Sequence, residues 1–297
     1  MLIHGTAADA APPRVVVIGA GGFVGGAVAT RLAAAGIEVL ALGRRDVNLL
    51  TDRAAADLAA RLRPDDAVVA AAAIAPCRTP AMLRDNIRLA ETLAEALKAR
   101  PVAHVLNIGS DAIYADSLEP LTEASCASPD NLHGVMHLAR EVMLTEAAGE
   151  APFASLRPTL IYGAADPHNG YGPNRFRRLA AAGGPIVLFG EGEERRDHVL
   201  IDDVAALAVR ILLRRSRGVL NAATGTVISF REAAERVVAH FPRPVPIQGS
   251  PRTGPMPHGG YRPFDPRASL AAFPDFRYTL PAEGFARVHQ QCQGAGA

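Results

Sequence analysis

Four consecutive β-branched residues, Val15-Val16-Val17-Ile18, run directly into a glycine series, Gly19, Gly22 and Gly25. No other stretch constrains the fold as much. A run of this kind reads as a strand buried on both faces, as in a parallel sheet. Ala27 to Ala35 then reads as a helix, with Gly36 just past its end as the C-cap. A strand that turns tightly into a helix through glycines lets a ligand come close to the backbone. The helix N-terminus offers free N–H groups and a partial positive charge, which suits the pyrophosphate of a dinucleotide. Such spacing is weak evidence alone, but the strand before it and the helix after it supply the confirming context.

The rest of the chain repeats the alternation. Strands are expected at Glu38–Leu42, Ala67–Ala73 and His104–Ile108, and another begins at Ala154–Leu156. Helices are expected at Asp57–Leu62, Leu83–Arg100, His133–Ala148 and Ile201–Leu213, with a short one at Phe230–His240. This pattern predicts an α/β fold, a Rossmann-type doubly wound parallel sheet. After Gly163 the composition shifts, and Pro, Gly, Asn and Arg crowd the stretch from Ala164 to Pro185. The expected division is a dinucleotide-binding domain over 1–163, completed by about 200–225. A smaller C-terminal substrate-binding domain takes 164–199 and 226–297.

Composition excludes several classes. The formal net charge is +1, which argues against a nucleic-acid partner held by bulk electrostatics. Three cysteines far apart (Cys77, Cys126, Cys292) suggest neither a disulfide framework nor a zinc site. No apolar run of membrane-spanning length occurs, and the first residues lack a secretory pattern, so a cytoplasmic protein without a membrane partner is expected. The second strand ends in Gly43-Arg44-Arg45. Acidic residues at this point hold the ribose 2′-hydroxyl of NAD, whereas arginines accommodate a 2′-phosphate. Asp46 comes late for the acidic role, so the charge argument favours NADP, with NAD as the alternative.

Several segments together resemble the extended short-chain dehydrogenase/reductase family of nucleotide-sugar epimerases, dehydratases and reductases. They are the glycine turn, Asp46 to Asp52, Asn107 to Tyr114, Arg157 to Gly163, and Gly190 to Asp203. The resemblance covers Val15 to about Phe285. It implies cofactor contacts from Gly19, Gly22, Phe23, Val24, Gly25, Arg44, Arg45, Asn48, Leu49, Ala71, Ala73, Pro158 and Ile161. It implies a catalytic Ser110 and substrate contacts from Asp111, Asn174, Arg178, Arg196 and Arg262. Guanidinium forks suit a substrate pyrophosphate because they bond two oxygens at once. The resemblance further implies a nucleotide-sugar substrate and a homodimer formed through the helices Leu83–Arg100 and His133–Ala148.

The chain departs from the family at its acid/base pair. The family carries Tyr-x-x-x-Lys on the helix after the serine strand, and here those positions are His133 and His137. A shifted alignment does not restore the motif. Of 31 Lys and Arg residues only Lys98 is a lysine, and the residue four before it is Ala94. A tyrosine with a free pKa near 10 needs a neighbouring ammonium to work at pH 7, whereas imidazole, near 6.5, does not. Three readings follow. His133 with Ser110 could form a working acid/base pair, most plainly in the reduction of a 4-keto sugar, with epimerisation or dehydration as alternatives. The chain could instead be a catalytically impaired binder of the same ligands. Finally, the i,i+4 imidazoles could share a metal with a further ligand such as His104 or His198, although no metal is expected.

Overall fold

The computed structural model describes residues 2–294; Met1 and 295–297, the end of the Gly/Ala tail, lie outside it. The first half alternates strictly: β1 (Arg14–Ile18), α1 (Phe23–Ala34), β2 (Glu38–Leu42), α2 (Ala54–Ala59), β3 (Ala67–Ala70), α3 (Pro80–Ala99), β4 (His104–Ile108), α4 (Leu132–Ala148) and β5 (Phe153–Pro158). The second half comprises β6 (Leu160–Tyr162), α5 (Pro173–Ala181), β7 (Ile186–Phe189), β8 (Arg195–Leu200), α6 (Ile201–Leu213), β9 (Gly218–Ala222), β10 (Val227–Ser229), α7 (Phe230–Val238), β11 (Ile247–Ser250), β12 (Tyr261–Arg262), α8 (Arg267–Ala272) and α9 (Pro281–Gly294).

The central sheet has six parallel strands in the order β2-β1-β3-β4-β5-β9. Alternation along β1 fills both faces. Val15 and Val17 pack with Val28 and Leu32 of α1 and Val204 of α6. Val16 and Ile18 pack with Leu58 of α2, Leu93 and Leu97 of α3, and Leu144 of α4. The strand order reverses direction between β1 and β3, so the crevice at their carboxyl ends is the expected ligand site. Asp66, wholly buried just before β3, holds Arg14 at the start of β1 through two hydrogen bonds of 2.8 and 2.7 Å.

Several element boundaries differ from the sequence expectation. α1 starts at Phe23 rather than Ala27, because Gly22 is already its N-cap. α2 covers 54–59 rather than 57–62. β3 ends at Ala70 rather than Ala73; beyond it only the Ala71 N–H still reaches Ile18, at 2.9 Å. α3 begins at Pro80 because Thr79 caps it, accepting from the Met82 N–H at 3.2 Å, and proline suits the first helical turn. The Pro/Gly-rich insert contains α5, which composition hid, and α8 and α9 were also unexpected. α5 has proline in its first turn and buries Phe176 in a cluster with Phe230 and Ile186.

Strands β10, β8, β12 and β6 form a second, smaller sheet, and β11 pairs with β7. No described helix is long and apolar enough to cross a membrane.

Candidate active site

The glycine turn sits where β1 meets the end of β3. Gly19 has φ +94°, and a Cβ there would stand 2.5 Å from the Ala72 nitrogen; a Cβ on Gly25 would stand 2.2 Å from the Gly19 oxygen. Strand, turn and helix can therefore close on one another only with glycine at both places. Gly22 gives α1 no side-chain cap. Its first-turn residues Phe23, Val24 and Gly25 line a cleft of about 530 Å³ that also contains Ser110, His133, His137, Pro158 and Ile161. A neighbouring cavity of about 450 Å³ holds Gly19, Arg44, Asn48 and Leu49, and the two share Gly22, Ala71 and Ala73. A bare helix N-terminus between two such cavities fits a dinucleotide laid across the strand ends. Asp46 turns its carboxylate back onto its own turn, accepting the Gly43 N–H at 2.7 Å. Arg44 and Arg45 are both exposed, but only Arg44 lines the cavity, contrary to the expectation that both would.

The catalytic candidates come from two elements. Ser110, just past β4, accepts the Ala112 N–H at 3.1 Å and so caps the short turn Asp111–Ile113. α4 begins directly over this turn: a Cβ on Gly134 would lie 2.1 Å from the Ala112 oxygen. Asn131 caps α4 by accepting the Gly134 N–H at 3.0 Å. The helix therefore starts close enough to bring His133 into the cleft that holds Ser110. His133 Nδ1 accepts the Cys77 N–H at 3.4 Å, which leaves Nε2 as the nitrogen free to meet a ligand. The His137 ring stands edge-on to His133, centroids 4.7 Å apart, with its buried Nδ1 unpartnered. Burial lowers the proton affinity of His133, and Asp111 partly opposes that. His137 lies well below the usual imidazole range, first through burial and then through His133 and Arg140.

The metal reading gains no support from this geometry. Among the described residues no group of three His, Cys, Asp or Glu side chains is placed to hold an ion. His104 lies at the opposite end of β4 from Ser110, its Nε2 on the Ser216 carbonyl at 2.7 Å. His198 is buried in β8 with Nδ1 3.2 Å from the Arg196 carbonyl.

The substrate-side candidates separate. Arg196 lines the cleft, largely buried, with Nε and Nη1 lacking hydrogen-bond partners. The Glu194 carboxylate is 3.3 Å from Nε but out of line for a hydrogen bond. Arg262 also lines the cleft, but its donors are taken by the protein itself. They meet Asp111 Oδ2 at 3.3 Å, Asp116 Oδ1 at 2.7 Å and the carbonyls of Asp111 and Tyr114 at 2.8 and 3.2 Å. Instead of standing free to grip phosphate, Arg262 ties β12 to the serine turn and uses Asp111 to do so. Asn174 and Arg178 do not line the cleft, contrary to expectation. Asn174 donates to Asp166 Oδ2 at 2.9 Å and accepts the Gly163 N–H at 3.1 Å, and Arg178 donates to the Asp166 carbonyl. Both shape the loop that carries Asp166 and His168 to the rim. Sequence reasoning missed His168, His258 and Arg140 as cleft residues. The first two lie in loops with no local signal. Arg140 follows His133 by seven residues, a helical repeat that does place it on the same face.

Behind the cleft, the Glu141 carboxylate takes Arg157 and the Ser155 hydroxyl (2.6 Å), and Arg157 reaches the Tyr114 hydroxyl at 2.7 Å. Removing one member of a buried pair strands the other charge. Glu141→Ala is therefore expected to cost about 3 kcal/mol of unfolding free energy by denaturant titration. An unchanged midpoint would show that the pair carries no structural weight.

This glycine turn at a sheet reversal, opening onto a cleft that holds Ser110, His133 and His137, is the arrangement of a dinucleotide-binding fold. Residues 15–223 match the NAD dependent epimerase/dehydratase family, and the chain belongs to that family. It is 26% identical over 259 residues to GDP-L-fucose synthase of Escherichia coli (strain K12), covering 75% of this chain and 80% of that one. It is 28% identical over 276 residues to dTDP-4-dehydro-6-deoxy-D-allose reductase of Streptomyces bikiniensis, covering 80% and 84%. Its fold is that of a GDP-L-fucose synthetase from Naegleria fowleri solved bound to NADP, with TM-score 0.83, 16% identity and coverage of 98% and 96% of the two chains.

Proposed function

We propose that this chain is an NADP-dependent oxidoreductase of a nucleotide-activated sugar that reduces a 4-keto group. The observation that carries this is the shared cleft, in which Ser110, His133 and the unpartnered donors of Arg196 open onto the glycine turn. A nicotinamide, when bound, supplies the hydride to the sugar carbon. The Ser110 hydroxyl orients the carbonyl oxygen, and His133, protonated on both nitrogens and so released from the Cys77 N–H, delivers its Nε2 proton to that oxygen and ends as the neutral imidazole with its hydrogen on Nδ1. Arg196 binds the substrate's phosphates. The same reading assigns 1–163 with about 200–225 to the cofactor and the remainder to the substrate. It also makes the protein a homodimer through α3 and α4, where Val135 and Val142 are exposed.

One observation favours a second reading, a binder of the same ligands without turnover. Burial holds both imidazoles toward their neutral forms, so neither is a ready proton donor at pH 7. Incubating the purified protein with NADPH and a panel of nucleotide 4-keto sugars, and following the loss of NADPH absorbance, tests the two. Turnover supports the reductase, and tight NADPH binding without turnover on any member supports the binder. An epimerase or dehydratase of the family would convert sugars without net NADPH consumption.

Cofactor choice rests on Arg44, which no carboxylate pairs among the described residues. Arg44→Ala is expected to weaken NADPH binding about 10- to 100-fold, the loss of a charge-assisted contact to the 2′-phosphate, and to leave NADH nearly unaffected. Equal effects on both would remove the argument for NADP.

A further inference from the structure

Position 137 holds an imidazole where the family motif has an ammonium, and that imidazole is held neutral. One turn further along the same helix face stands Arg140, wholly buried. Its Nη1 donates to the Ala72 carbonyl at 2.9 Å and its Nη2 to the Ala70 carbonyl. Among the described residues no carboxylate reaches it, and burial pulls its pKa down to about 10, which still leaves it charged at neutral pH. Two carbonyls at a strand end could be satisfied by a neutral amide. Burying a full cation costs far more, and such a charge is ordinarily paired.

The surroundings show what a partner would be. Ala72 is held between two contacts: Arg140 takes its carbonyl, and its nitrogen lies against Gly19 with no room for a side chain between them. Arg140 is thus one peptide away from the turn at which the dinucleotide's phosphates would approach, and it lines the same cleft as Gly22 and Phe23. We propose that Arg140 supplies the fixed positive charge of the cofactor subsite, on a helix face where position 137 carries a neutral imidazole. The charge stands on α4 and reaches the site from the β3 side. This rests on the dinucleotide reading above.

Titration of NADPH by its fluorescence, with Arg140→Met, Arg140→Gln and Arg140→Lys beside the unsubstituted chain, tests the proposal. Arg140→Met and Arg140→Gln are expected to bind at least about tenfold more weakly, with Arg140→Lys within about threefold of the unsubstituted chain. Unchanged affinity in the Met and Gln forms overturns the proposal and makes the arginine a carbonyl clamp. Equal loss in all three overturns it too, because charge would not be the property that matters. If the Met and Gln forms do not fold, the ¹⁵N-arginine spectrum of the unsubstituted chain decides. The Arg140 Nε signal, assigned by its absence from Arg140→Lys, shifts on adding NADP if the proposal holds and stays fixed if it does not. Failure of the unsubstituted chain to bind either nicotinamide dinucleotide removes the functional reading along with this one; binding that ignores position 140 removes this one alone.

Discussion

His133→Ala is expected to lower turnover about 10²- to 10⁴-fold, the usual contribution of a positioned acid or base, while NADPH affinity stays within a few-fold of the unsubstituted chain. The reason is positional. Asn131 and Gly134 bring the first turn of α4 down onto Asp111–Ile113, and His133 presents its ring there with Nε2 free. The pH dependence provides a second check. In the reductive direction the imidazole must carry a proton, and burial lowers its affinity for one. Reductive kcat/KM should therefore fall as pH rises through a value below 6.5, and the reverse oxidation should rise through it. A rate limited by a tyrosine-like group near pH 10 would contradict the assignment. So would His133→Ala turning over at the original rate.

Arg196→Met should raise the KM for the nucleotide sugar by about 30-fold or more, some 2 kcal/mol, with little change in NADPH affinity. Its Nε and Nη1 are buried without hydrogen-bond partners, so an anionic substrate would meet donors that are already desolvated. The same burial lowers its proton affinity, a sign of a charge held at a cost. Methionine fills similar space without that cost, but it leaves the buried Glu194 carboxylate without this partner. The two effects oppose each other, so the melting temperature without ligand is expected to change little even as substrate binding is lost. A KM that does not move would assign Arg196 to the Glu194 pair alone. Parallel losses of melting temperature and substrate affinity would point to a structural role.

The sequence carried the cofactor side of the site further than the substrate side. A side chain at Gly25 would strike the Gly19 carbonyl six residues back, so the glycine spacing is enough to read, although what excludes a side chain at Gly19 itself is Ala72 beyond the third strand. Ala71 and Ala73 follow the third strand and face the crevice because parallel strands end together. Arg196 and Arg262 looked alike as arginines in similar surroundings. They differ only in what surrounds them: Asp111, Asp116 and two carbonyls consume Arg262, while nothing bonds two nitrogens of Arg196. Asn174 and Arg178 were drawn to the substrate by their setting in a polar insert, yet the fold spends them on Asp166.

Periodicity, glycine spacing and the residues at 133 and 137 determined, without any coordinates, a doubly wound sheet, a dinucleotide turn and two histidines where the family motif has tyrosine and lysine. These are local properties, set by residues within one or two helical turns of each other. The single lysine could be seen in the sequence to be unable to serve the motif. The tertiary structure adds that Lys98 pairs instead with Glu146 across α3 and α4, 2.9 Å apart and exposed. Only the tertiary structure decided which cations stay free and which are consumed, and where Arg140 points its charge. The partners that settle this lie far away in sequence: Ala70 and Ala72 for Arg140, Asp111 and Asp116 for Arg262. A charge's availability depends on every group packed around it, and no local pattern encodes that.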